Sequence, residues 1–455
     1  MKTAVILDAG RGTKLWPYAQ IRSKGLLPIG GAPLLAHQVA VLQNLGYQKI
    51  VVVAGAHTGD VRALFRRQAS VQVVTDANPQ GSARSLLLAR NAVQAEMFLL
   101  LYSDVVMHAD DLRRLDAAQG YAALLAPLNG KIVHSSTDHI VCEIEKGNVT
   151  NILGHPRDAG THYFAAFRCQ ADVFCALENT PTHFSNVEVG QMPPPESFFE
   201  MTLAQLIADN TPVCALEAQN HVVDIDKPWQ ILEANRVLNT WLCADLRRTH
   251  LADGASIHPS AVVGGFVQLG EGSSIGFNCI LDGNIIVGKR TKIENGAIIK
   301  GNVVIGDDCT ICNGCLIEEY ATVGDNCYVG HGAELNGILL RNAFLYHYME
   351  IYGIVGENVD LGAATVCGTL RFDDGATCQR VKGRRETPHP ASDAVFFGDY
   401  SRTGVNAILM PGVKTGVYSI VGAGVRLLHD LEDHALIYAE QTQVKKAWGS
   451  EKYGW

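Results

Sequence analysis

A ladder of aliphatic side chains in the second half of the chain restricts the fold more than any other feature. Every sixth position from 257 to 335 is Ile, Leu or Val, and a glycine directly follows at seven of these positions. An inward aliphatic residue every six positions, with turn-forming residues between, is typical of a parallel β-helix built from flat strands and tight corners. The ladder consists of Ile257, Val263, Leu269, Ile275, Leu281, Val287, Ile293, Ile299, Ile305, Ile311, Ile317, Val323, Val329 and Leu335.

Two interruptions divide this ladder. It breaks at 336–353 and again at 366–395, because the six-residue spacing of aliphatic residues is lost there. Insertions into a regular solenoid usually lie at a binding face, so both breaks are predicted to carry function. The spacing resumes between and after them with Val355, Leu361, Phe397, Thr403, Leu409, Thr415 and Val421.

The cysteines of this half are spaced like metal ligands, but the six-residue period argues against a metal site. Cys309, Cys312 and Cys315 are closely spaced, but Cys279, Cys309, Cys315 and Cys327 each stand two residues before a ladder residue. We therefore expect them to be small inward core residues, since a closed zinc site would need four converging ligands.

The first half alternates short aliphatic runs with amphipathic stretches. This strand, helix, strand pattern predicts an α/β domain with a parallel sheet and helices on its faces. Domain boundaries are expected at 1–227 for this unit, 228–254 for a linker helix and 255–455 for the β-helix. The predicted strands are Thr3–Leu7, Lys49–Val53, Val71–Val74 and Met97–Tyr102, and the predicted helices include Leu34–Leu45 and Ala83–Gln94.

Composition excludes several classes of protein. A charged fraction of 18% and an apolar fraction of 47% exclude a disordered chain. The net charge of −9 argues against a broad basic surface for nucleic acid. No apolar run reaches the roughly 18 residues of a membrane span, so we expect no membrane partner. A cytoplasmic protein with its twelve cysteines reduced is expected.

The strand at the N-terminus runs directly into a glycine-rich segment, Asp8-Ala-Gly-Arg-Gly-Thr-Lys-Leu-Trp-Pro17, which is followed by Ser23-Lys-Gly-Leu-Leu-Pro28. A glycine-rich turn after the first strand presents backbone N–H groups to a phosphate chain. Nearby lysines can then neutralise charge during group transfer.

These segments resemble the sugar-1-phosphate nucleotidylyltransferases. Together with the β-helix, nearly the whole chain resembles the bifunctional N-acetylglucosamine-1-phosphate uridylyltransferase/glucosamine-1-phosphate acetyltransferase family. The resemblance implies a Rossmann-like nucleotidyltransferase domain, a left-handed β-helix and a homotrimer. It also implies that a nucleoside triphosphate and a sugar 1-phosphate react, with Mg²⁺, to give a nucleotide sugar and pyrophosphate.

The resemblance assigns phosphate-binding roles to the glycine-rich turn. Lys14 stands where the family usually has Arg, which keeps the charge but loses the planar fork. Lys24 matches the family lysine that meets the phosphates, although Ser23 replaces the usual proline. The matching nucleotide-binding residues of the turn are Ala9, Gly10, Gly12 and Thr13.

Two carboxylates are implied as magnesium ligands. Asp104 follows the predicted strand Met97–Tyr102 and matches the family's metal-binding aspartate. Asp224 is the better-aligned second ligand, and Asp226 is the next candidate. For Asp226, capping of the helix that starts near Pro228 is the alternative role.

The base and the sugar stay open. Gly81 and Ser82 match the nucleoside-binding loop, and Asp104 is also expected to bind the nucleotide, but Pro79 occupies the position of the glutamine that reads uracil. The resemblance to the uridylyltransferases implies UTP, and the proline at this position keeps CTP as the alternative. The segments Ile152–Pro156 and His162-Tyr-Phe replace the family's sugar-binding motifs.

A second site is implied within the first ladder break. His347 falls at the position of the family's general base, which takes a proton from an amino sugar as it attacks acetyl-CoA. Ala363, Ala364 and Lys382 match positions around acetyl-CoA and the acceptor.

The acceptor positions of this second site depart from the family. Glu318 and Asn336 replace two phosphate-binding cations, and a carboxylate repels a phosphate. Three functions are left open: a bifunctional enzyme, a nucleotidylyltransferase whose β-helix only trimerises or regulates, and an inactive regulatory subunit that binds nucleotide sugar. The role of segment 447–455 is also open. Further departures are Glu350, Asp360 and Thr369.

Overall fold

The computed structural model describes residues 1–128, 138–155, 160–182 and 196–453. Pro156 and Trp455, which belong to two of the segments discussed above, lie outside these ranges. The elements of the first half and the helix after it are, in chain order, β1 (Thr3–Asp8), β2 (Pro28–Ile29), β3 (Ala32–Pro33), α1 (Leu34–Asn44), β4 (Lys49–Ala54), α2 (Thr58–Phe65), β5 (Val71–Thr75), α3 (Ser82–Leu88), β6 (Met97–Tyr102), β7 (Val105–Val106), α4 (Ala109–Asp116), β8 (Tyr121–Pro127), β9 (Ile140–Glu145), β10 (Asn148–Gly154), β11 (His162–Gln170), α5 (Val173–Leu177), α6 (Phe199–Ala208), β12 (Val213–Glu217), β13 (Val223–Asp224) and α7 (Pro228–Ala244).

The first half forms a mixed sheet in the order β5-β4-β1-β6-β11-β8-β12-β10-β9. Strands β5, β4, β1 and β6 run parallel, and β11 pairs antiparallel with β6 and β8. Helices cover both faces, so the α/β prediction is confirmed. One predicted helix is too long, because α3 ends at Leu88 rather than at 94.

The second half is a three-sided parallel β-helix, as predicted. Equivalent residues on adjacent coils lie eighteen positions apart, as in the pairs Ser256↔Ser274 and Ser274↔Lys292. Each coil therefore holds three six-residue repeats, one on each face. The ladder residues point inward and form a continuous core from Leu269 to Leu335, with Ile257 and Val263 partly buried at its end.

Each face of the β-helix is a stack of short strands. Face A contains His250–Leu251, Val267–Leu269, Ile285–Val287, Val303–Ile305, Thr322–Val323, Val395–Phe397 and Lys414–Thr415. Face B contains Val262–Val263, Ile280–Leu281, Ile298–Ile299, Leu316–Ile317, Val366–Cys367, Ile408–Leu409 and Arg426–Leu427. Face C contains Ser256–Ile257, Ser274–Ile275, Lys292–Ile293, Thr310–Ile311, Tyr328–Val329, Phe344–Leu345, Asp360–Leu361, Arg402–Thr403, Ile420–Val421 and Leu436–Ile437. Glu334–Leu339 and Glu350–Val355 run from face B to face A.

The two ladder breaks change the coil in different ways. At the first break the step between paired residues shortens to sixteen, as in Tyr328↔Phe344, because one long strand crosses a corner. At the second break the step grows to forty-two, as in Asp360↔Arg402. The extra chain contains a hairpin of strands Gln379–Val381 and Arg384–Glu386 that lies outside the coil.

The cysteines of the β-helix occupy its interior, as the period predicts. Cys279, Cys309, Cys315 and Cys327 are buried within the core. The thiol sulfurs of Cys309, Cys315 and Cys327 lie 3.0–3.1 Å from backbone carbonyl oxygens of the next coil. Among the residues that the structure describes, no group of three or more His, Cys, Asp or Glu side chains is arranged to hold a metal ion.

Helix α7 and the first domain pack along face A. Ile231, Ala234 and Leu238 of α7 are buried in a cluster that also contains residues of the first domain and of face A, among them Tyr18 and Phe396. Two buried amides hold the helix in place. Asn239 Nδ2 donates to the carbonyl oxygens of residues 320 and 321, and Asn235 Oδ1 accepts from Gly30 N and from the Thr322 hydroxyl.

The segment between Lys14 and Lys24 also contacts the β-helix. Both guanidinium NH2 groups of Arg22 bond the Asp399 carboxylate, each at 2.9 Å, and Glu357 lies 3.4 Å away. Tyr18 donates its hydroxyl to the carbonyl oxygen of Ile354, and Trp16 donates its indole N–H to Asp433. The two halves of the molecule are thus joined by buried polar contacts as well as by apolar packing.

The described part of the chain contains no helix that is long and apolar enough to cross a membrane.

The Arg22–Asp399 pair is expected to stabilise the docking of the two halves. Its side chains are 7% and 0% exposed, so Arg22→Met would leave a buried unpaired carboxylate and lower the free energy of unfolding by about 3–5 kcal/mol. Urea unfolding measures the difference. As a control, Arg290→Met removes the exposed partner of Asp308 and should change little. Equal effects of the two substitutions would contradict the assignment.

Candidate active site

A cavity of about 730 Å³ opens at the carboxyl ends of β1 and β6. Ligand sites in open α/β sheets are commonly found at this edge. The cavity gathers all the N-terminal residues that the sequence singles out for phosphate, nucleotide and metal. They are Ala9, Gly10, Gly12, Thr13, Lys14, Lys24, Gly81, Ser82, Asp104 and Asp224.

The glycine-rich turn shapes one wall of this cavity. Gly12 has a φ of +59°, in the left-handed region that favours glycine. A Cβ atom at this position would lie 3.2 Å from Lys24 Cγ and 3.1 Å from Ala19 Cβ. Gly12 therefore permits the turn and leaves room for the Lys24 side chain beside it.

Asp8, the last residue of β1, joins the turn to the lysine segment. Its carboxylate accepts hydrogen bonds from the Ser23 and Ser103 hydroxyls, both at 2.7 Å, and from Gly25 N at 3.1 Å. Burial raises the pKa of Asp8 to about 6, even though these donors lower it. Ser23, which replaces the family's proline, thus positions Lys24 through Asp8.

Two lysines and two carboxylates form a linked cluster in the cavity. Lys24 Nζ lies 2.8 Å from Asp104 Oδ2 and 3.0 Å from Asp226 Oδ1, while Lys14 Nζ lies 2.6 Å from Asp226 Oδ2. Burial alone would lower the pKa of Lys24, but Asp104, Asp226 and Asp224 raise it above its usual range. Lys24 is therefore a fixed positive charge.

A two-stranded ribbon brings the distant carboxylates together. β7 and β13 pair antiparallel with Asp224 opposite Val105, and Ile225 N donates to the carbonyl oxygen of Asp104 at 2.9 Å. Asp224 Oδ2 lies 3.1 Å from His139 Nδ1. Asp224 thus faces His139, whereas Asp226, the second candidate from the sequence, contacts both lysines. The Asp226 side chain points into the cavity.

The carboxylates fit a magnesium ion whose remaining ligands come from substrate phosphates. Mg²⁺ is usually held by one or two carboxylates together with phosphate oxygens and water. Asp104, in the turn before β7, and Asp224, the last residue of β13, supply two carboxylates, and Lys24 crosses the space between Asp104 and Asp226. This donor set suits an ion that arrives with a polyphosphate.

The nucleoside loop packs against the start of α6. Gly81 has a φ of +105°, and a Cβ atom there would lie 2.3 Å from the carbonyl oxygen of Ser197. Only glycine fits this position. Ser82 Oγ accepts a hydrogen bond from Phe199 N at 2.8 Å, which fixes the loop beside Glu200.

Several residues of the cavity carry no distinctive signal in the sequence. Asp138, His139, Tyr163 and Glu200 line it together with the predicted residues. Asp138, His139 and Glu200 stand alone, without a motif, and Tyr163 belongs to a segment that departs from the family's sugar motif. All four approach the cavity only because strands or helices distant in the chain meet there. The pairing of β11 with β9, which brings Tyr163 beside this region, is a tertiary contact.

In the β-helix, the structure brings three of the predicted acetyl-transfer residues together and separates the fourth. The amide N of Ala364 donates to the carbonyl oxygen of His347 at 2.9 Å, and Ala363 is its neighbour. Lys382 stands elsewhere: it lies at the tip of the inserted hairpin and lines the cavity of the first domain. Within one chain it does not belong with His347, because the hairpin folds towards the domain docked on face A.

Glu318 and Asn336, which replace the family's phosphate-binding cations, do not form a positively charged site with their described neighbours. Glu318 is paired with Lys300 at 2.8 Å, and Asn336 lines a separate cavity of about 690 Å³ between α7 and the inserted hairpin. Neither residue lies in the cavity of the first domain.

Glu200 is expected to make stability depend on pH. Burial raises its pKa from 4.5 to about 7, although Tyr102 donates a hydrogen bond to it. The folded state therefore holds this proton more tightly than the unfolded state. Its stabilising effect is complete below about pH 4.5 and is lost as the pH rises through 7.

Glu200→Gln should remove this loss of stability at high pH, because the glutamine amide does not titrate. Relative to the wild type, the variant should gain up to about 3 kcal/mol in the free energy of unfolding at pH 8 and little at pH 4.5. Urea unfolding at both pH values measures the gain. The exposed Glu145→Gln serves as the control, and a gain that is the same at both pH values would contradict the assignment.

Comparison with known proteins extends the picture over the whole chain. Residues 4–168 match the family model of the MobA-like NTP transferase domain, and residues 284–319 match that of the bacterial transferase hexapeptide (six repeats). "CMP-5'-(3-aminopropyl)phosphonate synthase" of Streptomyces rubellomurinus is 33% identical over 164 residues, which cover 34% of this chain and 26% of that protein.

Two relatives are similar over nearly their full lengths. "Bifunctional sugar-1-phosphate nucleotidylyltransferase/acetyltransferase" of Sulfurisphaera tokodaii is 24% identical over 436 residues, or 94% of this chain and 98% of the relative. "Bifunctional protein GlmU" of Methanococcus maripaludis strain C7 is 31% identical over 448 residues, or 97% of this chain and 98% of the relative. Since both halves are matched in the same order and over the same length, the chain belongs to the bifunctional GlmU family.

Proposed function

We propose that the chain transfers a nucleotidyl group from a nucleoside triphosphate to a sugar 1-phosphate and releases pyrophosphate. The observation that carries this proposal is the meeting, in one cavity, of the glycine-rich turn, Lys24 and the carboxylates Asp104 and Asp224. The turn offers backbone N–H groups to phosphates, and the lysines offset charge at the reacting phosphorus.

The reaction needs no protein nucleophile. A phosphate oxygen of the sugar 1-phosphate forms a bond to the α-phosphorus, and the bond from that phosphorus to the bridging oxygen of pyrophosphate breaks. Lys24, held by Asp104 and Asp226, is positioned to stabilise the negative charge that develops. Lys14 is 39% exposed and pairs only with Asp226 among the described carboxylates, so it can turn towards the leaving pyrophosphate.

Asp104 and Asp224 are the residues that would hold Mg²⁺. When bound, the ion would neutralise phosphate charge and polarise the phosphorus centre. His139 orients Asp224, and the main-chain hydrogen bond from Ile225 N to the Asp104 carbonyl oxygen holds the segments of the two carboxylates side by side.

For the base, we propose UTP on the resemblance to the uridylyltransferases, and two observations keep CTP as the alternative. Pro79 and Gln80 line the nucleoside end of the cavity. Pro79 has no side-chain donor or acceptor, so it cannot read uracil as a glutamine would. A relative named for a CMP product, 33% identical over 164 residues, supports keeping CTP in the test.

A second activity, acetyl transfer from acetyl-CoA to an amino sugar, is proposed at His347. The His347 ring packs 4.5 Å from that of His331, and its Nδ1 is buried without a hydrogen-bond partner among the described residues. The other ring nitrogen is thus the one available for proton transfer. The sugar amine would attack the thioester carbonyl, CoA would leave as its thiol, and His347 would take the amine proton.

A homotrimer is the proposed assembly. Face B carries outward apolar side chains that stay exposed in the single chain: Val262, Ile280, Ile298 and Ile408 are 60%, 42%, 38% and 38% exposed. An apolar stripe of this kind favours association of coils.

All twelve cysteines are free, which supports the proposed reducing, cytoplasmic setting.

Nucleotidyl transfer is tested by pyrophosphate release with Mg²⁺ across a grid of nucleoside triphosphates and sugar 1-phosphates. At least one pair should react, and Asp104→Asn should reduce its turnover by about a hundredfold or more, because the variant loses a charged metal ligand. The exposed Asp60→Asn serves as the matched control. A folded protein that releases no pyrophosphate with any pair would favour the regulatory-subunit function.

Acetyl transfer is tested by CoA thiol release from acetyl-CoA with amino sugars and their 1-phosphates. His347→Ala should reduce this release by about a hundredfold, because general-base catalysis is lost. Pyrophosphate release should stay unchanged, since His347 does not line the first cavity. If the wild type releases no thiol with any acceptor, the β-helix serves assembly or regulation alone.

A further inference from the structure

The inserted hairpin extends from the β-helix to the cavity of the first domain. Its strands, Gln379–Val381 and Arg384–Glu386, are joined by Lys382 and Gly383, whose φ values of +47° and +77° form the tight tip. Lys382 at this tip is exposed and lines the same cavity as Lys24 and Asp104. A residue of the second half thus belongs to the wall of the first site.

Buried contacts fix the base of this hairpin. Gln379 is 1% exposed, and its Nε2 lies 3.0–3.3 Å from the carbonyl oxygens of residues 391, 392 and 394. Val381, next to the tip, is also buried. The tip therefore projects from a well-packed support.

An ion cluster then ties the hairpin to the first domain. Lys227, only 4% exposed, donates to the carboxylates of Asp138 and Glu386. Asp138 lines the active-site cavity, and its neighbour His139 bonds Asp224. These contacts place the hairpin beside the Asp138–His139 wall of the cavity.

Lys382 differs from the other cavity-lining lysines in that no described carboxylate is paired with it. Lys14 and Lys24 are already paired with Asp226 and Asp104. Among the described residues that line the cavity, Arg11 and Lys382 are the Lys and Arg side chains for which the structure shows no carboxylate partner. Arg11 belongs to the glycine-rich turn, where the triphosphate is proposed to bind. Lys382 is therefore the cavity-lining cation, among the described residues, that stands on the hairpin side without a carboxylate partner. It is available to the phosphate of a second substrate.

We propose that Lys382 binds the phosphate of the sugar 1-phosphate and thereby selects phosphorylated sugars for the nucleotidyl-transfer site. The inference rests on the proposed nucleotidyl transfer and names the residue that recognises its second substrate. An ammonium group at the mouth of the cavity gains a charge-assisted hydrogen bond with a phosphate dianion that an uncharged sugar cannot offer. The β-helix domain would then complete the first active site as well as carry its own.

Steady-state kinetics with the most reactive triphosphate and sugar 1-phosphate tests this role. Lys382→Ala should raise KM for the sugar 1-phosphate by about tenfold to a hundredfold and leave KM for the triphosphate within about twofold. Lys382→Arg should restore most of the loss. Arg380→Ala, which removes an exposed cation of the same hairpin outside the cavity, is the matched control. Equal behaviour of Lys382→Ala and Arg380→Ala, or an equal rise in both KM values, would overturn the proposal.

Calorimetric binding separates this role from the reaction itself. Glucose 1-phosphate and N-acetylglucosamine 1-phosphate are titrated into the full-length protein, with glucose as the uncharged comparison. If the wild type releases no pyrophosphate but binds the sugar phosphates in a Lys382-dependent way, nucleotidyl transfer fails and the Lys382 site stands. If the wild type turns over and Lys382→Ala is unaffected, only the Lys382 role fails. A wild type that neither reacts nor binds overturns both.

Discussion

The docking of the first domain along face A of the β-helix is the contact on which the rest of the arrangement depends. One apolar cluster spans the first domain, helix α7 and face A, and the buried Arg22–Asp399 pair lies within the same interface. Arg22 directly precedes Ser23 and Lys24. The lysine segment is therefore held from one side by the sheet of its own domain, through Asp8, and from the other side by the solenoid.

This arrangement explains which features can be predicted from the sequence. The six-residue period and the glycine-rich turn are local patterns, and each dictates its own structure through backbone geometry and side-chain burial. The coil, its inward cysteines and the first strands follow from such patterns. The meeting of Lys24, Asp104 and Asp224 in one cavity is instead implied by the family resemblance.

Contacts between distant segments leave no comparable pattern. Arg22 and Asp399 are 377 positions apart, and neither sequence neighbourhood indicates the other. For the same reason the sequence does not indicate that Lys382, which the resemblance places near acetyl-CoA, lines the cavity of the first domain within one chain. The relative placement of Asp224 and Asp226 likewise depends on side-chain directions that alignment alone does not provide.

The forty-two-residue step of the coil also bears on how such a chain can diverge. Before and after the hairpin, strands on all three faces remain in register, as in Ile354↔Phe396 and Asp360↔Arg402. The insertion therefore leaves a corner of the solenoid and returns to it without disturbing the stack. A hairpin attached in this way can change in length or sequence while the coil keeps its register, so an insertion in one domain can alter the wall of a cavity in the other.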